Sequence, residues 1–250
     1  MVISKGWITL HKGFMVFLTT IVLFSFVFSC FGEEADAFDG NINQEILIDD
    51  YGAVYCNSVL KSFPSEQSIT DYQVAPHTTR IGNSAFDCNN SLRSVSIPES
   101  VFMIESGAFA SSVVESVALS DGLLIIGEDA FAQCHNLTDL TLPDGLYAIG
   151  RDAFVECCEL TSITIPSSVR YIGTGAFAKT SIHDIYFKTI YCCVEDLFLC
   201  HTASSTKNVT VHFPKSCEND EIGDVDSIIA ALHNVSDLRI VYDLDDDLEE

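Results

Sequence analysis

Residues Ile149-Gly-Arg-Asp-Ala-Phe-Val-Glu-Cys-Cys-Glu-Leu-Thr-Ser-Ile-Thr-Ile-Pro166 contain the pattern that decides the fold. Similar stretches recur through the middle of the chain, and each contains an Ala-Phe pair. The pairs are Ala85-Phe86, Ala108-Phe109, Ala130-Phe131, Ala153-Phe154 and Ala176-Phe177. An Ile precedes each Phe by five residues, and Gly follows that Ile in all copies except the one with Glu105. Copies that keep this phase indicate a repeat protein.

A short alternating apolar run follows each Ala-Phe pair. The runs are Val95-Ser-Ile97, Val117-Ala-Leu119, Leu140-Thr-Leu142, Ile163-Thr-Ile165 and Ile185-Tyr-Phe187. Alternation with a period of two predicts a short strand with one buried face. Pro98, Pro143 and Pro166 end three of the runs, because proline cannot donate to a strand ladder. One coil cannot bury its own apolar edge, so we predict stacked coils whose strands lie about 4.8 Å apart.

The pattern Ile-Gly-x-x-Ala-Phe-x-x-Cys-x-x-Leu-x-x-Ile-x-Ile-Pro resembles the BspA-like leucine-rich-repeat family, most clearly at 149–166. The resemblance implies a leucine-rich-repeat solenoid with one short parallel strand per coil and irregular or short helical return segments, stacked right-handed. It is strong over 68–188 and weaker over 44–67 and 189–242. Proteins of this family are typically surface-exposed or secreted, and several are associated with adhesion. A protein partner on a host, matrix or cell surface is therefore implied.

The remaining segments flank this repeat. Residues 1–37 resemble a targeting segment, because Lys5 and Lys12 precede an uncharged apolar run and Ala35-Asp-Ala37 fits a signal peptidase. A cleaved signal peptide and an uncleaved anchor both remain open, and both place the rest outside the cytoplasm. We assign 38–67 to a linker and irregular N-terminal unit, 68–188 to the solenoid, 189–242 to a C-terminal cap and 243–250 to an acidic tail.

Charge and motifs exclude several classes of function. The formal net charge of -24 disfavours nucleic acid and anionic lipid, both of which are bound through clustered Lys and Arg. Any membrane contact would therefore come from an uncleaved leader. The chain has no His-Glu-x-x-His, Gly-x-Ser-x-Gly or P-loop pattern. We therefore predict a protein without enzymatic activity, cofactor or bound metal.

Two groups of cysteines stand out among the ten. Cys134 and Cys157 occupy the same phase in consecutive coils, and Cys88 nearly does. Buried thiols are favoured there, with a disulfide between coils or a reactive thiol as alternatives. The second group lies in the presumed cap and comprises Cys192, Cys193, Cys200, His201 and Cys217. Disulfides are favoured there, with free, partly buried thiols or a zinc site as alternatives; zinc is disfavoured since the group lacks two Cys-x-x-Cys pairs.

Two surfaces of the predicted coils face solvent. The open sheet face carries mostly small hydroxyl residues, with Tyr186 as its one aromatic side chain. The second surface is a row beyond the Pro position, formed by Phe102, Leu124, Tyr147 and Arg170, with Met103, Ile125 and Tyr171 beside them. Aromatic and Arg side chains are common interface anchors. Phe102, Leu124, Tyr147, Arg170, Tyr171 and Tyr186 are therefore the candidate protein-binding residues.

Two interpretations of that row lead to two functions. If the side chains are exposed together, the chain is an extracytoplasmic protein that mediates protein binding or adhesion through the solenoid surface. If they lie flat and pack against neighbouring coils, a structural spacer or surface-coat component with no specific ligand gains support. The exposure of Phe102, Leu124 and Tyr147 discriminates between the two.

Overall fold

The computed structural model describes residues 2–4, 7–9, 45–138, 140–188, 193–194, 197, 208–215, 217, 224–232, 235 and 237–244. In chain order its strands are β1 (Val2–Ser4), β2 (Trp7–Thr9), β3 (Ile46–Ile48), β4 (Val54–Cys56), β5 (Val59–Ser62), β6 (Asp71–Gln73), β7 (Arg80–Ile81), β8 (Ser94–Ser96), β9 (Met103–Ile104), β10 (Ser116–Ala118), β11 (Ile125–Ile126), β12 (Ala148–Ile149), β13 (Ser162–Ile165), β14 (Tyr171–Ile172), β15 (Asp184–Phe187), β16 (Cys193–Val194), β17 (Val209–Pro214) and β18 (Leu238–Leu244). The helix α1 (Asp224–Ala230) lies between β17 and β18.

Four of the five alternating runs form the predicted parallel strands β8, β10, β13 and β15, whereas the run Leu140-Thr-Leu142 lies in no strand and leaves the sheet in two parts. β6, β8 and β10 pair in parallel with matched register, and β13, β15, β17 and β18 form a second parallel group. Alternate residues such as Val95 and Val117 are buried, whereas Ser96 and Ala118 are exposed. The leucine-rich-repeat solenoid that the sequence predicts is therefore confirmed.

A second parallel sheet runs along another side of the coils. It contains β5, β7, β9, β11, β12, β14 and β16 in consecutive coils. Its strands β7, β9, β11, β12 and β14 each end at the Ile that precedes the column Phe by five residues, and this Ile is buried, as at Ile104, Ile126 and Ile149. The sequence predicts one strand per coil and so misses this sheet, because a two-residue strand is too short to show alternation.

Five phenylalanine rings form a column through the interior. Neighbouring rings of Phe86, Phe109, Phe131, Phe154 and Phe177 have centroids 4.7, 5.0, 5.3 and 5.5 Å apart and planes within 10° of each other. All five side chains are fully buried. The repeat phase therefore places one ring at the same height in every coil, and the stack hides each ring's two faces.

The return segments are turns, with no helix in the described part of 68–188. Residues two before and two after each column Phe have left-handed backbone, for example Asp129 (φ 54°) and Gln133 (φ 60°) around Phe131. This shape lets every second amide point along the stack. Phe131 N donates to Ala153 O at 2.8 Å, and the equivalent bond recurs in the neighbouring coils. The return turns therefore add a third backbone ladder.

The N-terminal unit is an antiparallel meander that joins the second sheet. β3 pairs with β4 and β4 with β5, and β5 then pairs in parallel with β7. A chain of hydrogen bonds ties this unit to the first coil: Tyr55 Oη donates to Tyr72 Oη, and Tyr72 Oη donates to Asp49 Oδ2 at 2.6 Å. Burial, followed by the bond to Asp49, raises the pKa of Tyr72. The stack thus begins with β5, inside the segment assigned to the linker.

Parallel stacking also continues beyond residue 188. β17 and β18 extend the sheet of β13 and β15, and Phe187, Phe213 and Tyr242 form a second ring stack at 5.6 and 5.9 Å. The helix α1 precedes β18, the last strand of the stack. β18 includes Asp243 and Leu244, so the segment predicted as an acidic tail begins inside this strand.

The N-terminal leader lies almost wholly outside the described residues. Its first residues form a hairpin of β1 and β2. In the part of the chain that the structure describes, no helix has the length and hydropathy needed to span a bilayer.

Candidate functional site

Four exposed apolar side chains cluster where the sequence predicts a contact surface. Phe102 is 42% exposed, Leu124 44%, Tyr147 57% and Tyr171 37%. Among the described residues, the one other large hydrophobic side chain with comparable exposure is Tyr51. Large apolar side chains are usually buried, so this clustering is unusual for a folded chain.

Backbone hydrogen bonds place these residues in one row. Leu124 N donates to Phe102 O at 2.9 Å, Tyr147 N to Leu124 O at 2.8 Å and Arg170 N to Tyr147 O at 2.9 Å. The residue before each member of the row is fully buried, as Leu123 and Leu146 are. The chain direction through the turn therefore forces the next side chain outward in every coil.

A second row lies beside the first. Met103, Ile125, Ala148 and Tyr171 are register partners in β9, β11, β12 and β14. The first three are half-buried and Tyr171 is exposed, because the following Ile takes the inward position. We call Phe102, Met103, Leu124, Ile125, Tyr147, Ala148 and Tyr171 the apolar stripe. The stripe is two residues wide and follows the coil axis.

Arg170 ends the outer row with a positive charge. Its guanidinium donates to Ser167 O at 2.6 Å and Val169 O at 3.1 Å, and within the described residues it makes no ion pair. Arg80, Arg93, Arg151 and Lys179 each pair with a carboxylate of an adjacent coil, as Arg80 does with Glu105 at 2.8 Å. The charge of Arg170 is therefore available at the surface.

A row of carboxylates flanks the stripe on the side of the preceding turn. Glu99, Asp121 and Asp144 follow the Pro position in three consecutive coils, and all three are exposed. The turns that carry them stack closely: a Cβ on Gly145 would lie 2.6 Å from Asp121 O, and one on Gly122 would overlap Glu99 O. Sequence reasoning missed this row, although an acidic residue in the same phase of three repeats was a readable signal.

Tyr186 does not belong to the stripe. It lies on the outer face of β15 and stacks on His212 of β17, with ring centroids 4.3 Å apart. His212 also contacts Asp243 at 2.9 Å and Asp184 at 3.3 Å. The pKa of Asp184 is lowered by its contacts with His183 and His212, against an opposing effect of burial, which is the largest single contribution. These contacts connect the last three strands of the sheet.

Cys134 and Cys157 are buried free thiols rather than a disulfide. Cys134 Sγ donates to Phe109 O at 3.0 Å and Cys157 Sγ to Phe131 O at 3.1 Å, each in the preceding coil. Burial raises the pKa of Cys134 to about 11 and also raises that of Cys157. Both thiols are therefore structural hydrogen-bond donors, not nucleophiles.

Cys88 does not join this ladder. It is exposed with a left-handed backbone, φ 54°, and the next residue, Asn89, takes the ladder position three residues after Phe86. Asn89 is fully buried; its Nδ2 donates to Pro64 O at 2.9 Å, and its Oδ1 accepts the amides of Ser91 and Leu92. Cys88 thus lies two residues after its column Phe, whereas Cys134 and Cys157 lie three residues after theirs, and the grouping of Cys88 with them was wrong.

The described residues contain no group of three or more metal-ligating side chains. The pKa of Asp129 is raised, first by burial and then by the negative charge of Asp152. Of the predicted cap cluster, Cys192, Cys200 and His201 lie outside the described residues. The disulfide and zinc interpretations of that cluster therefore stay predictions.

Parallel ladders, a phenylalanine column and a buried thiol or amide ladder define a leucine-rich-repeat solenoid that exposes an apolar stripe. The sequence model described as BspA type leucine rich repeat region matches residues 58–183 in six copies. The chain belongs to this family. No curated protein matches it.

Solved structures share the fold. The pneumococcal vaccine antigen PcpA is 19% identical with a TM-score of 0.62 over 78% of this chain and 47% of its own. A leucine rich cell surface protein from Faecalibacterium prausnitzii is 30% identical with a TM-score of 0.52 over 59% of this chain and 38% of its own. A leucine-rich repeat protein from T. pallidum is 21% identical with a TM-score of 0.51 over 72% and 91%. The chain thus spans less than half of the first two structures.

Proposed function

We propose that the chain is an extracytoplasmic, non-enzymatic protein that binds a protein partner, as in recognition or adhesion, through the apolar stripe. The observation that supports this most is the exposure of Phe102, Leu124, Tyr147 and Tyr171 on one surface. Monomers rarely expose contiguous apolar patches of this kind without a partner. Phe, Tyr and a terminal Arg also match the residue types that anchor protein interfaces.

A spacer would not need this stripe. A solenoid that only sets a distance is stable with polar side chains at every outward position, as on the Ser96 and Thr164 face of this chain. The three side chains whose exposure was to discriminate the two functions, Phe102, Leu124 and Tyr147, are all exposed. The binding function therefore accounts for residues that the spacer leaves without a role.

Location outside the cytoplasm has two supports. The F. prausnitzii protein, 30% identical over the shared coils, is described as a cell surface protein. The sequence of residues 1–37 resembles a leader, and the acidic surface would remain soluble there.

The proposed mechanism is binding by a preformed surface. The backbone ladder of Phe102, Leu124, Tyr147 and Arg170 fixes the spacing of the row before a partner arrives. Little backbone entropy is then lost on association, so a modest contact area can give useful affinity. The neighbouring carboxylates form a polar, solvent-accessible rim beside the anchors and select partners by charge.

An array of purified extracellular and cell-surface proteins tests the proposal. The secreted chain is compared with a stripe variant (Phe102→Ala, Leu124→Ala, Tyr147→Ala) and a control variant of the open sheet face (Ser96→Ala, Thr141→Ala, Thr164→Ala). We expect at least one partner that binds the wild type and control with the same Kd and the stripe variant at least tenfold more weakly. No partner at all, or partners that bind all three proteins equally, would overturn the proposal.

A further inference from the structure

We infer that the segment which docks on the apolar stripe is a basic amphipathic α-helix of the partner. This inference rests on the proposed function and adds the chemistry of the partner. The helix would lie along the coil axis, with its apolar face on Phe102, Leu124 and Tyr147 and its Lys or Arg side chains over Glu99, Asp121 and Asp144.

Charge supports a basic partner. Three consecutive coils present one exposed carboxylate beside one exposed apolar side chain, so the two rows are parallel. Glu99 and Asp121 make no ion pair within the described residues, and Asp144 meets Lys188 only at 3.8 Å with its side chain 81% exposed. The next coil has Ser167 and Arg170 in the corresponding positions. The sign of the charge changes there, which sets one end of the basic segment.

Spacing supports a helix. The phenylalanine column gives the step between coils as 4.7 to 5.5 Å, so three coils span about 10 Å. Helix residues at i, i+3 or i+4, and i+7 also span about 10.5 Å. Same-face residues i, i+2 and i+4 of an extended strand span about 13 Å and lose register with the third coil. A helix therefore presents one apolar side chain to each coil.

A second copy of this chain fits the stripe poorly. Two copies, each with a net charge of -24, would bring their carboxylate rows together. Like charges facing each other across an interface cost several kcal/mol, roughly enough to offset a small apolar contact. The same row repels anionic lipid. A basic helix gains from the charges that exclude these other occupants.

Synthetic helices test the inference directly. The probe is a fluorescein-labelled, eighteen-residue peptide of Leu and Lys with all Leu on one helical face. A Leu/Glu peptide of the same pattern and a scrambled Leu/Lys peptide are the control probes, and anisotropy is read at 0.15 M salt, where distant charges are screened. We expect the Leu/Lys helix to bind the chain at least tenfold more tightly than either control.

Three variants locate the binding. The carboxylate variant is Glu99→Gln, Asp121→Asn, Asp144→Asn. The matched control is Asp50→Asn, Glu66→Gln, Asp237→Asn, which removes the same charges from exposed positions elsewhere. The stripe variant is the one used on the array. We expect Kd to rise at least tenfold for the carboxylate and stripe variants and less than twofold for the control.

Several results would overturn the inference: no binding of the Leu/Lys helix, equal binding of the scrambled peptide, or equal weakening by the control variant. A stripe-dependent dimer of the wild type in size-exclusion chromatography would also overturn it, since the stripe would then be occupied by a second copy. The proposed function is judged separately, because a stripe-dependent partner on the array without a basic helix leaves that function standing and removes only this inference.

Discussion

The Phe131 ring stacks on the Phe154 ring of the next coil, with centroids 5.3 Å apart and planes 6° apart. Each ring of the column covers one face of the ring in the next coil. The coils are therefore stable as a stack and not as single units. We predict that Phe131→Ala lowers the free energy of unfolding by about 3–5 kcal/mol, because it leaves a cavity in the column. Urea denaturation measures the change.

Phe102→Ala is the matched control for Phe131→Ala. It removes the same side chain from a position that is 42% exposed, and we expect a loss below about 1 kcal/mol. Equal losses in the two variants would contradict both the column and the exposure of the stripe.

The stability of the wild type should fall above pH 9. The folded chain keeps the Cys134 thiol protonated because burial raises its pKa from an ordinary value of 9.0 to about 11. The contribution of this group is complete below pH 9 and is lost as pH rises toward 11, with a slope of about 1.4 kcal/mol per pH unit. Cys134→Ser cannot ionise in this range, so its stability should fall less steeply. The free energy of unfolding of both proteins is measured by denaturant titration at each pH. An equally steep fall above pH 9 in the wild type and in Cys134→Ser would show that the thiol is not buried.

Asn89→Ala should destabilise the chain by about 2 kcal/mol. The substitution leaves the amides of Ser91 and Leu92 and the carbonyl of Pro64 without their buried partner. The adjacent Asn90 is exposed, so Asn90→Ala serves as the control and should change stability by less than about 0.5 kcal/mol. Thermal melts of both variants measure the difference. A similar Tm for the two would contradict the structural role of the buried Asn89 side chain.

Tyr72→Phe should loosen the N-terminal meander. It breaks the bond to Asp49, whose other oxygen accepts the amides of Tyr51 and Ala53 at 2.9 Å. We expect a loss of about 1–3 kcal/mol and faster hydrogen exchange of β3 and β4. Tyr51→Phe, at an exposed position, should leave exchange unchanged. Unaltered exchange of β3 and β4 in Tyr72→Phe would show that the network does not hold the unit.

Repeat phase made the interior predictable. The position of Phe86 in one copy fixes that of Phe109 and Phe131, since a parallel stack places equal phases above one another. The same argument selected Phe102, Leu124 and Tyr147 as one row. It could not tell whether they face solvent, because that depends on how the turn directs the side chain between buried Leu123 and Ile126.

Features that occur in one coil only, or that join unlike residues of different coils, could not be predicted from the sequence. Cys88 was grouped with Cys134 and Cys157, but its left-handed backbone turns it outward and gives the ladder position to Asn89. His212 contacts Tyr186 and Asp243 because β15, β17 and β18 pair side by side. Contacts between unlike residues in different coils leave no periodic trace in the sequence.

Hydroxyl-radical footprinting with mass spectrometry measures whether the stripe is exposed in the free chain and covered by a partner. In the free chain we expect oxidation of Phe102, Leu124 and Tyr147 and none of Phe131. With a partner from the array bound, oxidation of the three row residues should fall at least fivefold, while the equally exposed Tyr51 stays unchanged. Row residues that are protected already in the free chain, or that remain fully oxidised in the complex, would contradict the account.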